Sequence, residues 1–454
     1  MRVSTSMVFD AGVRTINAQT GKLLHLQQQV ATGRRIVTPA DDPVAAARVL
    51  ELTQASDVVT QFARNRGNAQ GSLAMEENQL TGIGELVTRV RELTVQGGNG
   101  SLTRENRRAI TSELRARFEE LMGYANARDG NGKYLFSGYM GDTRPFSGSV
   151  EEVAKAGGTI TYHGDDGQRL LQVSPSRVIE VSDSGKDIFQ RVKNGNGTFV
   201  TDVNVANTGT AVIDGGAITD PAAWDASPTH HVQISFYVNA TVQPTVTYYD
   251  LIDTDPDSPT VGNSLLTGGA PLAPTTNPGP PPTFSDPTGL RTYASGQAIA
   301  LKSTPTEPNP FDLGSNVLIN GVPGDGDSFT IEPSTTQDLF KTLATLIVDL
   351  EDVTSNDAQN ALLSNRIGFA LTNLDQAEQN VLRVRAQIGS RLQEVDSLQA
   401  INEDIQIQYQ QAISGLQDLD YAKTISDLTR KQTDLQAAQQ SFVQISRLSL
   451  FNYL

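Results

Sequence analysis

The apolar residues near the N-terminus recur every seven positions, with polar residues between them. This spacing places them on one face of a helix. Gly12 and Gly21 would each weaken that helix by roughly 1 kcal/mol relative to alanine. A single helix of this kind is marginal in water, so we expect it to pack against another helix. The predicted stripe consists of Phe9, Ile16, Leu23, Leu26 and Val30.

A break in the pattern follows, after which the helical period returns from Val44 to about Val95 and again after Thr103. Gly33 indicates the end of the first helix. Asp41 and Asp42 could be a catalytic carboxylate pair, but their position just before Pro43 favours capping of the next helix. We therefore predict that both carboxylates have a structural role.

The C-terminal third also has a helical period. A helix is expected to open at Ser334 or Thr335, and a long stripe with a spacing of seven follows. Asn402 interrupts that stripe, and a polar residue at such a position can fix the register of packed helices. The predicted bundle core consists of Leu374, Val381, Ile388, Val395, Tyr409 and Leu416.

The final residues carry a second apolar stripe into an apolar-rich tail. A terminal helix with this much apolar surface needs a partner. Because ordering each residue costs about 1–2 kcal/mol, we expect both ends to be disordered in the monomer and to fold on assembly. The predicted assembly interface joins the N-terminal stripe to Tyr421, Leu428, Leu435, Phe442, Ile445, Leu448, Leu450, Phe451 and Leu454.

The middle of the chain, from about residue 150 to 333, has short alternating runs separated by Gly, Asp, Asn and Pro clusters. Such runs predict an all-β sandwich or barrel, of one domain or two. The predicted fold class is therefore mainly α with an inserted all-β domain. We predict that residues 1–40 with 415–454 form a terminal helical hairpin, that 41–150 with 335–414 form a long antiparallel helical bundle or coiled coil, and that 151–334 form an outward-facing β domain. A short strand is also predicted at residues 134–136.

The amino-acid composition excludes some classes of protein and some kinds of site. The 454 residues carry 35 basic and 51 acidic side chains, a net charge of −16, which argues against a nucleic-acid binder. The absence of cysteine excludes disulfides and cysteine-ligated metals. Asp253, Asp255 and Asp257 resemble the start of a calcium loop, but Ser258 occupies the position of its essential glycine. We predict no catalytic residue, metal site or cofactor.

The N-terminus lacks the pattern of a cleaved secretory signal, and no apolar run is long enough to span a bilayer. These features predict a soluble protein that is either cytoplasmic or exported without a cleaved signal peptide.

Several motifs resemble the flagellin superfamily. They lie at 1–7, 31–36 with 40–43, 132–138 with 144–146, 338–340 with Leu346, and 445–454. The resemblance covers about 1–150 and 335–454, and the Gly-Asp-Ser-Phe-Thr run ending at Thr330 adds one motif in the middle. The tail Leu-Phe-Asn-Tyr-Leu is similar to the hook–filament junction branch, whereas filament subunits usually end differently.

The resemblance implies an extracellular structural protein of the bacterial flagellum, exported unfolded by the type III apparatus. It implies self-association into a ring that joins hook-associated protein 1 to flagellin, and an export chaperone on the C-terminal tail. Membrane insertion is not implied. Flagellin itself is the alternative. An enzyme or carbohydrate-binding module on the same scaffold would need a convergent polar site in 150–334, and a cytoplasmic coiled-coil signalling protein would not need the inserted β module.

Overall fold

The computed structural model describes residues 5–155, 158–240, 243–271, 289–352 and 356–450. The helices are α1 (Thr5–Thr32), α2 (Pro43–Gly97), α3 (Arg104–Ala125), α4 (Val150–Val153), α5 (Gly185–Phe189), α6 (Pro221–Ala226), α7 (Leu339–Glu351), α8 (Asp357–Gln417) and α9 (Tyr421–Leu450). The strands are β1 (Phe146–Ser147), β2 (Thr161–Tyr162), β3 (Leu170–Ser174), β4 (Arg177–Glu180), β5 (Val192–Lys193), β6 (Phe199–Val203), β7 (Val212–Ile213), β8 (Ala217–Ile218), β9 (Val232–Asn239), β10 (Val246–Asp253), β11 (Arg291–Thr292), β12 (Ala298–Lys302), β13 (Asp312–Asn320), β14 (Ser328–Pro333) and β15 (Thr336–Gln337).

The chain divides into two compact units. Unit 1 runs to Asn68 and adds Gln172–Val178 and the chain from Gln393 onward, and unit 2 comprises Ala69–Leu171 and Ile179–Leu392. The helices at the two ends and the β-rich middle match the predicted fold class. The predicted division into three segments places its boundaries elsewhere and stays a prediction.

The first helix ends where the sequence predicts. α1 stops at Thr32, and Gly33 has a φ of 66°, a left-handed conformation that glycine adopts without steric cost. The carboxylate of Asp42 accepts the backbone N–H of Ala45 at 3.0 Å, so it caps α2, which begins at Pro43. At α3, Thr103 accepts the N–H of Asn106 at 3.2 Å. These caps confirm the predicted helix starts.

Unit 2 contains a helical core built from α2, α3, α7 and α8. Buried side chains of these helices form one apolar cluster with residues from the connecting segments. Phe340 of α7 lies at its centre, with ring centroids 5.9 Å from Phe118, 5.4 Å from Phe146 and 5.6 Å from Phe189. Aromatic pairs in this range add stability beyond their burial.

Two local predictions in unit 2 are wrong. α7 begins at Leu339 with Asp338 as its cap, because the preceding β15 pairs with β5 instead of joining the helix. The segment 134–136 forms no strand. Tyr134 makes only an isolated bridge to Arg128, and the following residues enter a turn.

The remainder of unit 2 contains a β sandwich, one of the two predicted forms. One sheet has five strands in the order β11-β10-β9-β14-β6, and the other has the order β12-β13-β7 with β8 also on β13. β9 and β10 are antiparallel, with Val232 opposite Asp253 and Asn239 opposite Val246. Side chains of both sheets share one apolar cluster, which includes Phe236 and Phe329 from the first and Leu313 and Ile319 from the second.

Candidate assembly surface of the terminal helices

In unit 1, α1 and α9 pack along their length as a helical pair. The rings of Phe9 and Phe442 lie with centroids 4.9 Å apart. A Cβ atom placed on Gly12 would come within 2.7 Å of the Phe442 ring. A larger residue at this point would force the Phe442 ring to shift, so glycine favours the close approach of the two helices, although it weakens the helix itself.

Of the predicted interface residues, Phe9 and Phe442 meet across this seam, and none of the described ones is fully buried. Phe9 and Tyr421 are each 50% exposed. Ile445, Leu448 and Leu450 belong to α9, but their side chains are outside the described residues, as are Phe451 and Leu454. The partly buried members are Ile16, Leu23, Leu26, Val30, Leu428, Leu435 and Phe442.

The predicted bundle core divides into two groups. Leu374, Val381, Ile388 and Val395 are buried, with at most 2% of their surface exposed. Tyr409 and Leu416, further along α8, are only partly buried. Asn402 is buried, and its Nδ2 donates to the Leu398 carbonyl of its own helix at 2.7 Å. That bond does not join two helices, so it gives no support for a role in register.

The turn region of the terminal helices is held by polar contacts. The backbone N–H of Arg35 donates to the Gln417 carbonyl at 2.7 Å, and its guanidinium donates to the Leu416 carbonyl at 2.8 Å. Asp41 accepts the N–H groups of Val37 and Thr38 at 3.0 and 2.7 Å, and the Thr38 bond is the main reason that its pKa lies below the usual range. Asp41 therefore stabilises this turn, and Asp42 caps α2, so both carboxylates have a structural role.

A set of exposed apolar side chains in unit 1 was not predicted from the sequence. Their exposed fractions range from 46% for Val58 to 81% for Val44. They lie outside the predicted stripes, so only a search for a second apolar face could have found them. The set comprises Met7, Leu24, Val44, Leu50, Val58, Ile401, Ile407, Ile425 and Val443.

Two buried acidic residues of the β sandwich are occupied by internal hydrogen bonds. Asp253 is buried and accepts the hydroxyls of Thr229 at 2.7 Å and Thr260 at 2.6 Å. Asp327 accepts the N–H groups of Gly209 and Gly324 at 2.9 and 2.7 Å. Within the described ranges, no three His, Cys, Asp or Glu side chains are grouped as metal ligands would be. Nor does any helix of the described chain have the length and apolar character of a membrane span.

Comparison with known proteins points to one family. A model of the bacterial flagellin N-terminal helical region matches residues 3–140. Flagellar hook-associated protein 3 of Escherichia coli K12 is 24% identical over 451 residues, which cover 99% of each chain. The protein of the same name from Salmonella typhimurium is 31% identical over 192 residues, 42% of this chain. The match spans 58% of that Salmonella protein, less than two thirds of its length.

Solved structures give the same result. The flagellar junction protein FlgL from Legionella pneumophila superposes with a TM-score of 0.65 at 27% identity, covering 82% of this chain and 100% of that one. Flagellins match over shorter stretches. The flagellin of Listeria monocytogenes, for example, is 24% identical over 131 residues, 29% of this chain.

Proposed function

The chain belongs to the flagellin family, in its hook-associated protein 3 group, and from this premise we propose that it is a structural adaptor at the hook–filament junction of the bacterial flagellum. One side of the adaptor contacts hook-associated protein 1 and the other contacts the first flagellin subunits. The observation that carries this proposal is the match to a hook-associated protein 3 over 99% of both chains. The proposed role is mechanical and needs no catalytic group.

The terminal helices are the proposed assembly element, and residues 1–40 with 415–454 line the inner tube. The partial burial of the α1–α9 seam supports this proposal, because half-exposed Phe9 and Tyr421 retain apolar surface for a neighbour. Each Å² of apolar surface covered contributes about 25 cal/mol. Copies arranged in a ring would supply that cover along the whole hairpin.

Exposed apolar side chains of α9 outside this seam bear on export. We propose that the chain leaves the cell unfolded through the type III apparatus, without a cleaved signal, and that a chaperone covers its C-terminal tail beforehand. Ile425 and Val443 of α9 are 50% and 47% exposed, so the free helix would present apolar side chains to other proteins. A chaperone groove that binds the α9 face would prevent premature association.

Flagellin itself is the alternative function. A filament subunit would share the terminal helices and the inserted β region, so the fold does not separate the two functions. The extent of the matches favours the adaptor, because hook-associated protein 3 aligns over 99% of the chain and Listeria flagellin over 29%.

Deletion of the gene tests the adaptor proposal. We expect cells with hooks but no filaments and with flagellin monomers in the medium, seen by electron microscopy and by immunoblot of the supernatant. Restoring the gene on a plasmid should return the filaments. Loss of both filament and secreted flagellin would identify the chain as the flagellin, and normal filaments in the deletion strain would rule out an essential junction role.

A further inference from the structure

A groove of about 550 Å³ runs between α1 and α9. Gly21 and Leu26 contribute to its apolar lining, and a Cβ atom placed on Gly21 would meet nothing within 4 Å. The Gly21 position therefore has room for a side chain from another molecule. We name this surface, lined by Gly21, Lys22, Leu26, Arg430 and Lys431, the Lys22 groove.

The Lys22 groove is lined by three basic side chains, Lys22, Arg430 and Lys431, and by one acidic side chain, Asp427. Arg430 pairs with Asp427 at 2.7 Å, and Lys431 pairs with Asp434 at 3.2 Å. Lys22 is exposed, and no residue of the described chain forms an ion pair with it. A matching surface should therefore combine an apolar side chain that fills the Gly21 position with a carboxylate that reaches Lys22.

One such surface of unit 1 has an exposed isoleucine on each side of a carboxylate. Ile401 and Ile407 are 53% and 51% exposed, and Asp404 lies midway between them on α8. At 3.6 residues per turn the three side chains span about 120° of the helix surface. Asp404 is exposed and makes neither an ion pair nor a hydrogen bond to the described residues. We name these three residues the Asp404 ridge.

We infer that the Lys22 groove of one copy binds the Asp404 ridge of a second copy of this chain. The groove carries the free charge of Lys22 beside exposed Gly21 and partly buried Leu26, and the ridge carries the opposite charge of Asp404 between two exposed isoleucines. A contact between two different patches of identical chains is heterologous, and repeated contacts of this kind build a ring when the rotation closes and an open helical array when it does not. This inference rests on the proposed function, since it specifies the contact by which adaptor copies would assemble.

Cysteine cross-linking tests this contact directly, because the natural chain contains no cysteine. One full-length variant carries Gly21→Cys and a second carries Ile401→Cys. The two are purified, mixed under oxidising conditions and separated on a non-reducing gel. A disulfide needs Cα atoms within about 7 Å, so a true contact should yield about tenfold more two-chain product than random collision does.

The matched control replaces Ile401→Cys with Val58→Cys, which lies at a 46% exposed valine outside the Asp404 ridge. Equal yields from the two mixtures would overturn the inference. In isolated flagella, cross-linking of Gly21→Cys to a different protein instead of a second copy would overturn it as well.

Charge reversal provides a second test that does not depend on disulfide geometry. Lys22→Glu and Asp404→Lys should each reduce two-chain cross-linking in chemically cross-linked samples by about tenfold, a change that corresponds to about 1.4 kcal/mol. The double variant should restore it, while pairing Lys22→Glu with Asp57→Lys should not. If the double variant stays as weak as the single variants, the inference is wrong.

The two tests separate this inference from the proposed function. A chain that restores filaments to the deletion strain but gives no excess of cross-linked product would retain the adaptor role and exclude the groove contact. A chain that cross-links through Gly21→Cys and Ile401→Cys but fails to restore filaments would support the contact and contradict the adaptor role.

Discussion

Two stripes with the same seven-residue spacing reach different degrees of burial in this molecule. On α8 in unit 2, Leu374, Val381 and Ile388 expose at most 1% of their surface. On the α1–α9 seam of unit 1, Phe9 and Tyr421 remain 50% exposed. The other described residues of the two predicted stripes are partly buried. Spacing therefore identifies which face of a helix is apolar but does not determine how deeply that face is buried.

The number of packing partners explains the difference. In unit 2, the α8 stripe belongs to a cluster that also contains residues of α2, α3 and α7. The α1–α9 seam has two helices, and two helices cannot surround a side chain. A stripe enclosed by several helices stabilises its own chain, whereas a stripe covered on one side retains apolar surface for a neighbouring molecule.

The largest expected effect comes from removing residues 415–454. Without α9, the apolar face of α1 has no partner, and we expect loss of incorporation into the flagellum. The unit 2 core should stay folded, because among the described residues its apolar cluster ends at Ile388, with Leu392 packed against it, well before residue 415. Immunoblots of isolated flagella would measure incorporation, and circular dichroism would report the remaining fold. Incorporation of the truncated chain would show that the terminal hairpin is not the assembly element.

Alanine substitution within the two stripes should give unequal losses of stability. Leu374→Ala removes a fully buried side chain and should lower the free energy of unfolding by about 2–5 kcal/mol. Leu428→Ala removes a partly buried side chain, and we expect a loss of about 1 kcal/mol. Urea unfolding of the full-length variants measures both values. Equal losses would contradict the difference in burial on which the comparison rests.

Carboxyl groups of the two units should respond to pH in opposite directions. Burial, followed by the nearby charge of Asp183, raises the pKa of Glu76 in unit 2 well above its ordinary 4.5. The folded chain then keeps this proton where the unfolded chain has lost it, so the Glu76 contribution to stability falls as the pH rises above 4.5. In unit 1 the bond from the Thr38 N–H lowers the pKa of Asp41 below 3.8, so its contribution is lost as the pH falls through that lowered value.

Glu76→Gln and Asp41→Asn separate these contributions. Glu76→Gln retains an oxygen that can accept the Asp183 N–H, which now lies 3.0 Å from the Glu76 carboxylate. We expect this variant to flatten the decline in stability above pH 4.5, and Asp41→Asn to reduce the loss below pH 3.8. Urea midpoints measured across the pH range provide the test. An unchanged profile for Glu76→Gln would show that Glu76 does not titrate as proposed.

Features set by neighbouring residues were predictable from the sequence. The end of α1 at Gly33 and the caps at Thr103 and Asp42 each depend on a few consecutive residues. The start of α7 was not predictable in this way, because the pairing of Thr336 with Lys193 depends on residues far apart in the chain.

The candidate assembly surface of the terminal helices was only partly predictable from the sequence. The α1 and α9 stripes follow from periodicity, although their half-exposed state depends on how many other helices surround them. The sequence did not predict the Asp404 ridge, because Ile401 and Ile407 lie six positions apart and follow neither stripe of the predicted seam. Its exposure becomes evident only once α8 is placed among its neighbours.

The smallest expected effects come from two glycines of α1 that look alike in the sequence. Gly21→Ala should raise the free energy of unfolding by up to about 1 kcal/mol, because alanine favours the helix and the new methyl group meets nothing within 4 Å. Gly12→Ala gains the same helix propensity but places its methyl group 2.7 Å from the Phe442 ring. We expect the resulting overlap to exceed that gain and to make the variant less stable than the natural chain. Hydrogen exchange of α1 and α9 amides would report both changes locally, and if Gly12→Ala slowed exchange as Gly21→Ala should, the close packing of α1 on Phe442 would be refuted.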